Sequence, residues 1–195
     1  MVTTSCTHHQ YKPQDCDLIF QVAETTEYSK AITDATAQKD VLKFDHVGMI
    51  ILEHDLPCVL EATNKGGVSI ISLEDFIKKS DAGYIIKRVK AQFAAEAVIE
   101  AGKSHLGEPY DWSFRPNNGK MYCSELIYEI FIGPDGKHVF QARPMNFRNE
   151  KGEMPQFWID LFQRLGEKIP EGVLGTNPND LSKETILQEV YRKIE

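Results

Sequence analysis

The chain has 195 residues, of which 42% are hydrophobic and 10% aromatic, so it can bury a sizeable core and is not disordered throughout. Its formal net charge is −7 and no run of lysine or arginine forms a basic stripe, which argues against a nucleic-acid binder. No segment has the length of a membrane span. The four cysteines (Cys6, Cys16, Cys58 and Cys123) have no Cys-x-x-Cys spacing, so neither a zinc knuckle nor a thioredoxin motif is predicted.

The first half of the chain is predicted to be mostly strands. Residues 1–14 are expected to form a polar tail, and residues 15–195 a single domain. Alternating and continuous apolar runs predict strands at 17–22, 44–52, 58–63, 68–71 and 84–89, with a helix at 29–39. The polar turn 53–57 makes the second and third strands a hairpin. Ser72, with Asp75 three residues later, predicts the start of a short helix.

The second half is predicted to be mostly helical. Helices are expected at 91–105, from Cys123 onwards, at 156–165 and at 181–194, with loops at 133–154 and 166–180. Because hairpins rather than βαβ units connect the strands, the predicted fold class is α+β, with a small, mostly antiparallel sheet packed against helices.

Cys123 is the candidate nucleophile. The apolar residues after it (Leu126, Ile127, Ile130 and Phe131) have the spacing of one buried helix face. Loop-forming residues occupy 116–119, so the helix should begin close to Cys123. A thiol in the first turn lies over unpaired backbone N–H groups and the positive end of the helix dipole, which favours the thiolate. The alternative is a small, inert core cysteine.

His46 and Glu61 are the candidate base and its orienting partner, because a thiolate nucleophile commonly needs both. His46 lies in an apolar strand beside Gly48. If the hairpin closes symmetrically about His54 and Asp55, Glu61 faces Gly48 and shares one sheet face with His46 as its diagonal neighbour. A slip of one residue would place the two side chains on opposite faces.

Four short motifs support this assignment: Asp17-Leu18-Ile19-Phe20, His46-Val47-Gly48-Met49, Leu106-Gly107-Glu108-Pro109-Tyr110-Asp111-Trp112 and Tyr122-Cys123-Ser124-Glu125-Leu126. Together they resemble the NlpC/P60 superfamily of papain-like cysteine hydrolases. In typical members the last two motifs come first, so the order here resembles the circularly permuted branch, over about residues 15–131. Cys16 before Asp17, and Tyr-Cys-Ser-Glu in place of Asp-Cys-Ser-Gly, depart from the common pattern and leave the substrate class open.

The resemblance implies a permuted papain-like fold with Cys123 as nucleophile, His46 as base and Glu61 as the polar third member. It also implies that the backbone N–H of Cys123 contributes to an oxyanion hole. Tyr110 or Tyr122 is a candidate hydroxyl donor there, with core packing as the alternative role. The implied reaction is acyl transfer from an amide through an acyl-enzyme, and it needs no metal or organic cofactor.

The substrate and the compartment remain open between alternatives. The expected partner is a small peptide or acyl substrate. The leading interpretation is amide hydrolysis, with cell-wall peptides as candidate substrates. A second is a lipid acyltransferase or deacylase, for which the apolar stretch from Phe157 to Phe162 is a candidate lipid-binding surface. A third is a non-catalytic binding protein. Ser5-Cys6 resembles the end of a bacterial lipoprotein signal that lacks its hydrophobic part. This predicts a place in the bacterial envelope or periplasm with a lipid anchor at Cys6, and a cytoplasmic protein is the alternative.

Overall fold

The computed structural model describes residues 11–36 and 42–194, whose strands and helices are arranged around one six-stranded sheet. The strands are β1 (Leu18–Val22), β2 (Phe44–Glu53), β3 (Leu56–Thr63), β4 (Gly67–Ser72), β5 (Gly83–Val89), β6 (Arg143–Pro144), β7 (Leu174–Gly175) and β8 (Leu187–Ile194). The helices are α1 (Glu27–Thr36), α2 (Leu73–Lys78), α3 (Ala95–Ser104), α4 (Cys123–Ile130), α5 (Gln156–Leu165) and α6 (Pro178–Ser182).

The large sheet has the strand order β4-β3-β2-β1-β5-β8, and every neighbouring pair is antiparallel. Strands β6 and β7 form a separate two-stranded sheet. Short turns join β2 to β3 and β3 to β4, which is how antiparallel strands are usually joined. The predicted α+β class with a mostly antiparallel sheet is confirmed.

The hairpin of β2 and β3 has the predicted register. Met49 pairs with Leu60, and Ile50 pairs with Val59. These are the pairs expected if the hairpin closes symmetrically about His54 and Asp55. These two turn residues have φ angles of 51° and 66°. Positive φ at both central positions gives the turn a twist that matches the twist of the flanking strands. The register that should bring His46 and Glu61 onto one face is therefore confirmed over the paired residues.

Both faces of the sheet are covered. Phe20, Met49 and Leu60 belong to the larger buried cluster, which also contains the fully buried Leu126 of α4. Alternate residues of the same strands pack on the other side around Phe76 of α2. The apolar face of α4 is thus fixed against the sheet, and this holds the N-terminal end of α4 in place beside β2.

Two predicted helix features are confirmed. The Oγ of Ser72 accepts a hydrogen bond from the backbone N–H of Asp75 at 3.0 Å, which caps α2. Helix α5 has the predicted bounds, and its Trp158 and Phe162 are each 2% exposed. Most of the apolar stretch considered for lipid contact is therefore packed into the core.

The prediction of a helix at 181–194 is wrong. Helix α6 ends at Ser182, and residues Leu187–Ile194 form β8, antiparallel to β5. The spacing of Leu187, Val190, Tyr191 and Ile194 fits a helix locally. Without β8, however, β5 would be an open edge of unpaired N–H and C=O groups. Pairing along β5 therefore stabilises a strand instead of a helix. Tyr191 also stacks on Tyr84, with the ring centroids 5.9 Å apart.

Several other predictions are confirmed in part, and some concern residues outside the described ranges. The predicted helix at 29–39 is α1 as far as Thr36, and the helix predicted at 91–105 begins only at Ala95. Cys6 lies outside the described residues, so the lipid anchor stays a prediction, as do the tail and the single domain. Across residues 11–36 and 42–194, no helix is both long and apolar enough to cross a membrane.

Candidate active site

Helix α4 begins at Cys123, as the sequence predicts. Tyr122 precedes it with extended backbone angles, φ −96° and ψ 166°, and the backbone N–H of Tyr122 donates to the carboxyl of Glu125 at 3.3 Å. A glutamate in this third helical position caps the helix by accepting a hydrogen bond from the residue that precedes it. Cys123 is 4% exposed and occupies the first turn, where backbone N–H groups lack helical partners.

Glu125 therefore has a local role in a motif where the common pattern has glycine. Burial raises the pKa of Glu125 to about 8, and the nearby carboxyls of Asp111, Glu129 and Glu108 add to the rise, whereas the hydrogen bond from Tyr122 opposes it. The carboxyl is thus mostly neutral near pH 7, so Glu125 adds little negative charge to the first turn of α4. Its capping position could have been recognised from the sequence alone.

His46 lies between Glu61 and Cys123. Its Nε2 is 2.7 Å from Oε2 of Glu61, and the two side chains are 17% and 3% exposed. The side chain of Cys123 is the largest of the causes that raise the pKa of the imidazole, so the thiol and the ring lie near each other. Since Nε2 is taken by Glu61, Nδ1 is the ring nitrogen available to the thiol. The ring of Phe76 lies nearly parallel to the imidazole, with centroids 5.8 Å apart.

The charge on His46 follows from these contacts. Burial alone lowers the pKa of His46, but the hydrogen bonds and negative charges of Cys123 and Glu61 outweigh it and raise that pKa to about 10. The imidazolium is therefore the favoured form at neutral pH. Nucleophile, base and orienting carboxyl come from α4, β2 and β3, and the structure brings all three sequence-predicted side chains together in the order that a catalytic triad needs.

Tyr110 is held beside the start of α4 by backbone pairing. The N–H of Met121 donates to the carbonyl of Pro109, and the N–H of Asp111 donates to the carbonyl of Met121, both at 3.1 Å. The hydroxyl of Tyr110 is hydrogen-bonded to the hydroxyl of Tyr28. Burial, then the charges of Tyr28 and Cys123, raise the pKa of Tyr110. The Leu-Gly-x-Pro-Tyr motif thus places a phenol beside the start of α4.

Tyr28 is a residue of the site that the sequence did not reveal. Burial raises the pKa of Tyr28, and the charge of Cys123 is the next largest cause, so charge on the thiol acts on this hydroxyl. Its ring packs on Trp112 and Phe157, with centroids 5.4 and 5.7 Å away. Helix α1 carries none of the family motifs, so no spacing or pattern links Tyr28 to Cys123 before the chain folds.

Tyr122 has a different contact. Its hydroxyl accepts a hydrogen bond from the backbone N–H of Thr176 at 3.1 Å. A Cβ atom on Gly175 would lie 2.8 Å from that hydroxyl, so only glycine permits this close approach. The bond anchors the start of α4 to β7, which is the packing role considered from the sequence. A role of Tyr122 in substrate binding stays a prediction.

Comparison with known proteins agrees with this architecture. A family model described as "Permuted papain-like amidase enzyme, YaeF/YiiX, C92 family" matches residues 12–191. The chain is 30% identical, over 164 residues, to a protein of Escherichia coli strain K12 described as "Uncharacterized protein YiiX", covering 82% of this chain and 77% of that protein. A crystal structure described as metalloprotein YiiX from Escherichia coli O157:H7 superposes with a TM-score of 0.78 at 26% identity, covering 95% of this chain and all of that one.

The permuted papain-like placement is therefore confirmed, over nearly the whole chain rather than residues 15–131 alone. The narrower placement in the NlpC/P60 superfamily stays a prediction. The catalytic roles of Cys123, His46 and Glu61 stay predictions.

Proposed function

Since the chain belongs to the permuted papain-like amidase family, we propose that it is a cysteine hydrolase that cleaves an amide bond through a Cys123 thiolate and an acyl-enzyme. The observation that carries the proposal is the position of His46, whose imidazole is hydrogen-bonded to Glu61 and lies close enough to Cys123 for the thiol to raise its pKa. A core cysteine has no need of a buried imidazole and carboxyl in this arrangement. The set fits an activated nucleophile with its base and orienting group.

The proposed reaction has two steps. The Cys123 sulfur attacks the amide carbonyl carbon, and the C–N bond breaks as the imidazolium of His46 gives its proton to the leaving nitrogen. Water then attacks the thioester while His46 takes the water proton, and the carboxylic acid leaves as the sulfur regains its electron pair. The carboxyl of Glu61 holds the ring and stabilises its protonated form. The N–H of Cys123, in the first turn of α4, stabilises the oxyanion.

No step is assigned to a metal ion. One solved relative is described as a metalloprotein. In residues 11–36 and 42–194, however, no group of three or more His, Cys, Asp and Glu side chains is placed to hold a metal ion. Protein-only metal sites usually need three or four such donors. The described residues therefore offer no such donor set for a resident metal, and the mechanism above uses groups of the chain alone.

The substrate class is a narrower part of the proposal. We take cell-wall peptides as the first candidates and expect no nucleic-acid partner. An envelope location with a lipid on Cys6 is proposed from Ser5-Cys6 alone, and an unmodified Cys6 in mass spectra of the native protein would overturn it. Turnover of muropeptides compared with turnover of phospholipids separates the amidase from a lipid acyltransferase or deacylase. Ligand binding without turnover in either assay would favour the non-catalytic binding protein.

Acylation by 4-nitrophenyl acetate tests the proposed chemistry without knowledge of the substrate. We expect a burst of nitrophenolate, and mass spectrometry should find the acetyl group on Cys123 in the wild type and in the Cys58→Ala control. His46→Ala should lose the burst. Acetylation of Cys58 or Cys16 at the same rate as Cys123, or a burst unchanged in His46→Ala, would overturn the proposal.

A further inference from the structure

A groove with a volume of about 410 Å³ lies between α1 and α5. Its lining includes the buried Ala31 of α1 and the half-buried Phe157 of α5, whereas Glu27 and Gln156 on its rim are exposed. Ligand sites in proteins usually have volumes of about 300–1,000 Å³. The groove is therefore open to solvent and large enough to hold a small ligand.

Opposite charges line the groove without pairing with one another. Three of the lining side chains are acidic and two are basic: Glu27, Asp34 and Asp160, and Lys30 and Arg164. In residues 11–36 and 42–194, none of these five side chains forms an ion pair.

This lack of pairing is not due to unsuitable spacing. Two pairs of opposite charge in the groove, Lys30 with Asp34 and Asp160 with Arg164, are four residues apart on one helix, where ion pairs commonly form. At the same spacing on α2, Glu74 and Lys78 do form one, at 2.9 Å. The charges in the groove are thus left for a ligand to neutralise.

The lining side chains can bind groups of both signs. Nε of Arg164 donates to the backbone carbonyl of Asp160 at 3.2 Å, and its two Nη groups have no partner in the part of the chain that the structure describes. Two such N–H groups match the two oxygens of a carboxylate. The carboxylates of Glu27 and Asp34 also lack a hydrogen-bond partner among the described residues, so they can accept from an ammonium group. The ligand that fits carries a carboxylate and an ammonium group.

Phe157 connects the groove to the candidate active site. The centroid of its ring lies 5.7 Å from that of Tyr28, whose hydroxyl is hydrogen-bonded to the hydroxyl of Tyr110 beside the start of α4. In the other direction, Arg164 lies two turns beyond Phe157, which is about 10 Å along α5. An extended peptide spans about 3.3–3.6 Å per residue, so about three residues bridge this distance. The groove therefore has the length of a short peptide segment.

We propose that the groove between α1 and α5 binds a peptide segment of the substrate that carries both a carboxylate and an ammonium group. Arg164 binds the carboxylate, and Glu27 and Asp34 bind the ammonium group. The assignment to the substrate rests on the proposed function, whereas the binding site itself does not. The groove selects a charged peptide over a neutral acyl chain, because a neutral chain forms no ion pair with these side chains.

Binding of trialanine to the Cys123→Ala variant tests the site directly, by ligand-observed NMR. N-acetyl-trialanine lacks the ammonium group and trialanine amide lacks the carboxylate, so each should bind about two- to fivefold more weakly, the effect of one exposed ion pair. Adding Arg164→Gln should weaken trialanine by a similar factor and leave trialanine amide unchanged. Adding Asp34→Asn should weaken trialanine and leave N-acetyl-trialanine unchanged.

The matched control is Arg192→Gln, which removes an arginine of β8 outside the groove and should bind all three peptides as the parent does. Absence of trialanine binding, or equal binding of the three peptides, would overturn the proposal. So would an Arg164→Gln variant that binds trialanine as Arg192→Gln does.

The link to the substrate is tested by alkylation of Cys123 with two iodoacetyl peptides of equal length. N-iodoacetyl-trialanyl-ornithine ends in an ammonium and a carboxylate group, whereas N-iodoacetyl-trialanyl-norvaline amide is neutral. We expect the charged reagent to alkylate Cys123 about two- to fivefold faster, and Arg164→Gln but not Arg192→Gln to remove this preference.

Alkylation without a preference, or with one that Arg164→Gln leaves unchanged, would refute the link to the substrate but not the nucleophile. A Cys123 that reacts with both reagents no faster than Cys58 would refute the proposed function and leave the trialanine result to stand.

Discussion

The contact between Glu61 and His46 gives a prediction whose size follows from the structure. Glu61→Gln keeps the shape of the side chain and removes its charge. A hydrogen bond between charged groups contributes about 1.5–3 kcal/mol, and 1.36 kcal/mol corresponds to one pKa unit, so the pKa of His46 should fall from about 10 to about 8–9. NMR titration of the His46 imidazole measures this change.

The matched control is Glu53→Gln. Glu53 is the last residue of β2, the strand that carries His46, and its carboxylate pairs with Lys103 at 2.6 Å. The substitution therefore removes a carboxylate from that strand without changing a contact of the imidazole. It should leave the titration of His46 as in the wild type. If Glu61→Gln also leaves the pKa of His46 at about 10, the reasoning from the Glu61 contact is wrong.

Glu61→Gln should also change the pH dependence of the free energy of unfolding. A raised histidine pKa contributes stability that is fully present below the unfolded value of about 6.5 and is lost as pH rises through about 10. The wild type should therefore lose free energy of unfolding between pH 6 and pH 10.5. The loss in Glu61→Gln should be smaller by about 1.5–3 kcal/mol. Equal losses in urea titrations of the two proteins would contradict the account.

Three further predictions concern packing, and urea denaturation tests each of them. Leu126→Ala, fully buried on α4, should cost about 2–5 kcal/mol, whereas Leu56→Ala, at 68% exposure, should change stability by less than about 0.5 kcal/mol. Tyr28→Phe leaves the hydroxyl of Tyr110 buried without its partner and should cost about 1–3 kcal/mol, and adding Tyr110→Phe should restore part of that loss. Gly83→Ala should cost more than about 1 kcal/mol, because φ of Gly83 is 106° and the new Cβ would lie 2.4 Å from the carbonyl oxygen of Lys193. A neutral effect would contradict the tight β5–β8 contact.

Local rules predicted the parts of the site that depend on neighbours in sequence. The start of α4 follows from loop residues before Cys123 and an apolar face after it, and the β2–β3 register follows from a symmetric two-residue turn at His54 and Asp55. Both are decided by a few adjacent residues. This is why the approach of His46 to Glu61 could be predicted before any coordinates were known.

The parts that the sequence did not predict depend on distant contacts. Leu187–Ile194 has a spacing that fits a helix, and only the open edge of β5 makes it a strand. Tyr28 comes into the site because α1 and α4 both pack on β2 and α6, and no local pattern encodes that arrangement. A cavity beside the start of α4 is lined by side chains as far apart in sequence as Ile32 and Pro178, so this lining exists only in the folded chain.

The central claim is that Cys123 is a nucleophile activated by His46, and its rate of alkylation by iodoacetamide tests this most directly. The rate is measured across pH by mass spectrometry in the wild type and in His46→Ala, with Cys58 of the same molecules as the internal reference. Cys123 should react well at pH 6.5, where an ordinary thiol, with a reference pKa of about 8.5, is almost entirely protonated. His46→Ala should slow that reaction at least about tenfold, the change that one pKa unit produces. A Cys123 no more reactive than Cys58, or indifferent to His46, would contradict the account and leave a structural cysteine in a papain-like fold.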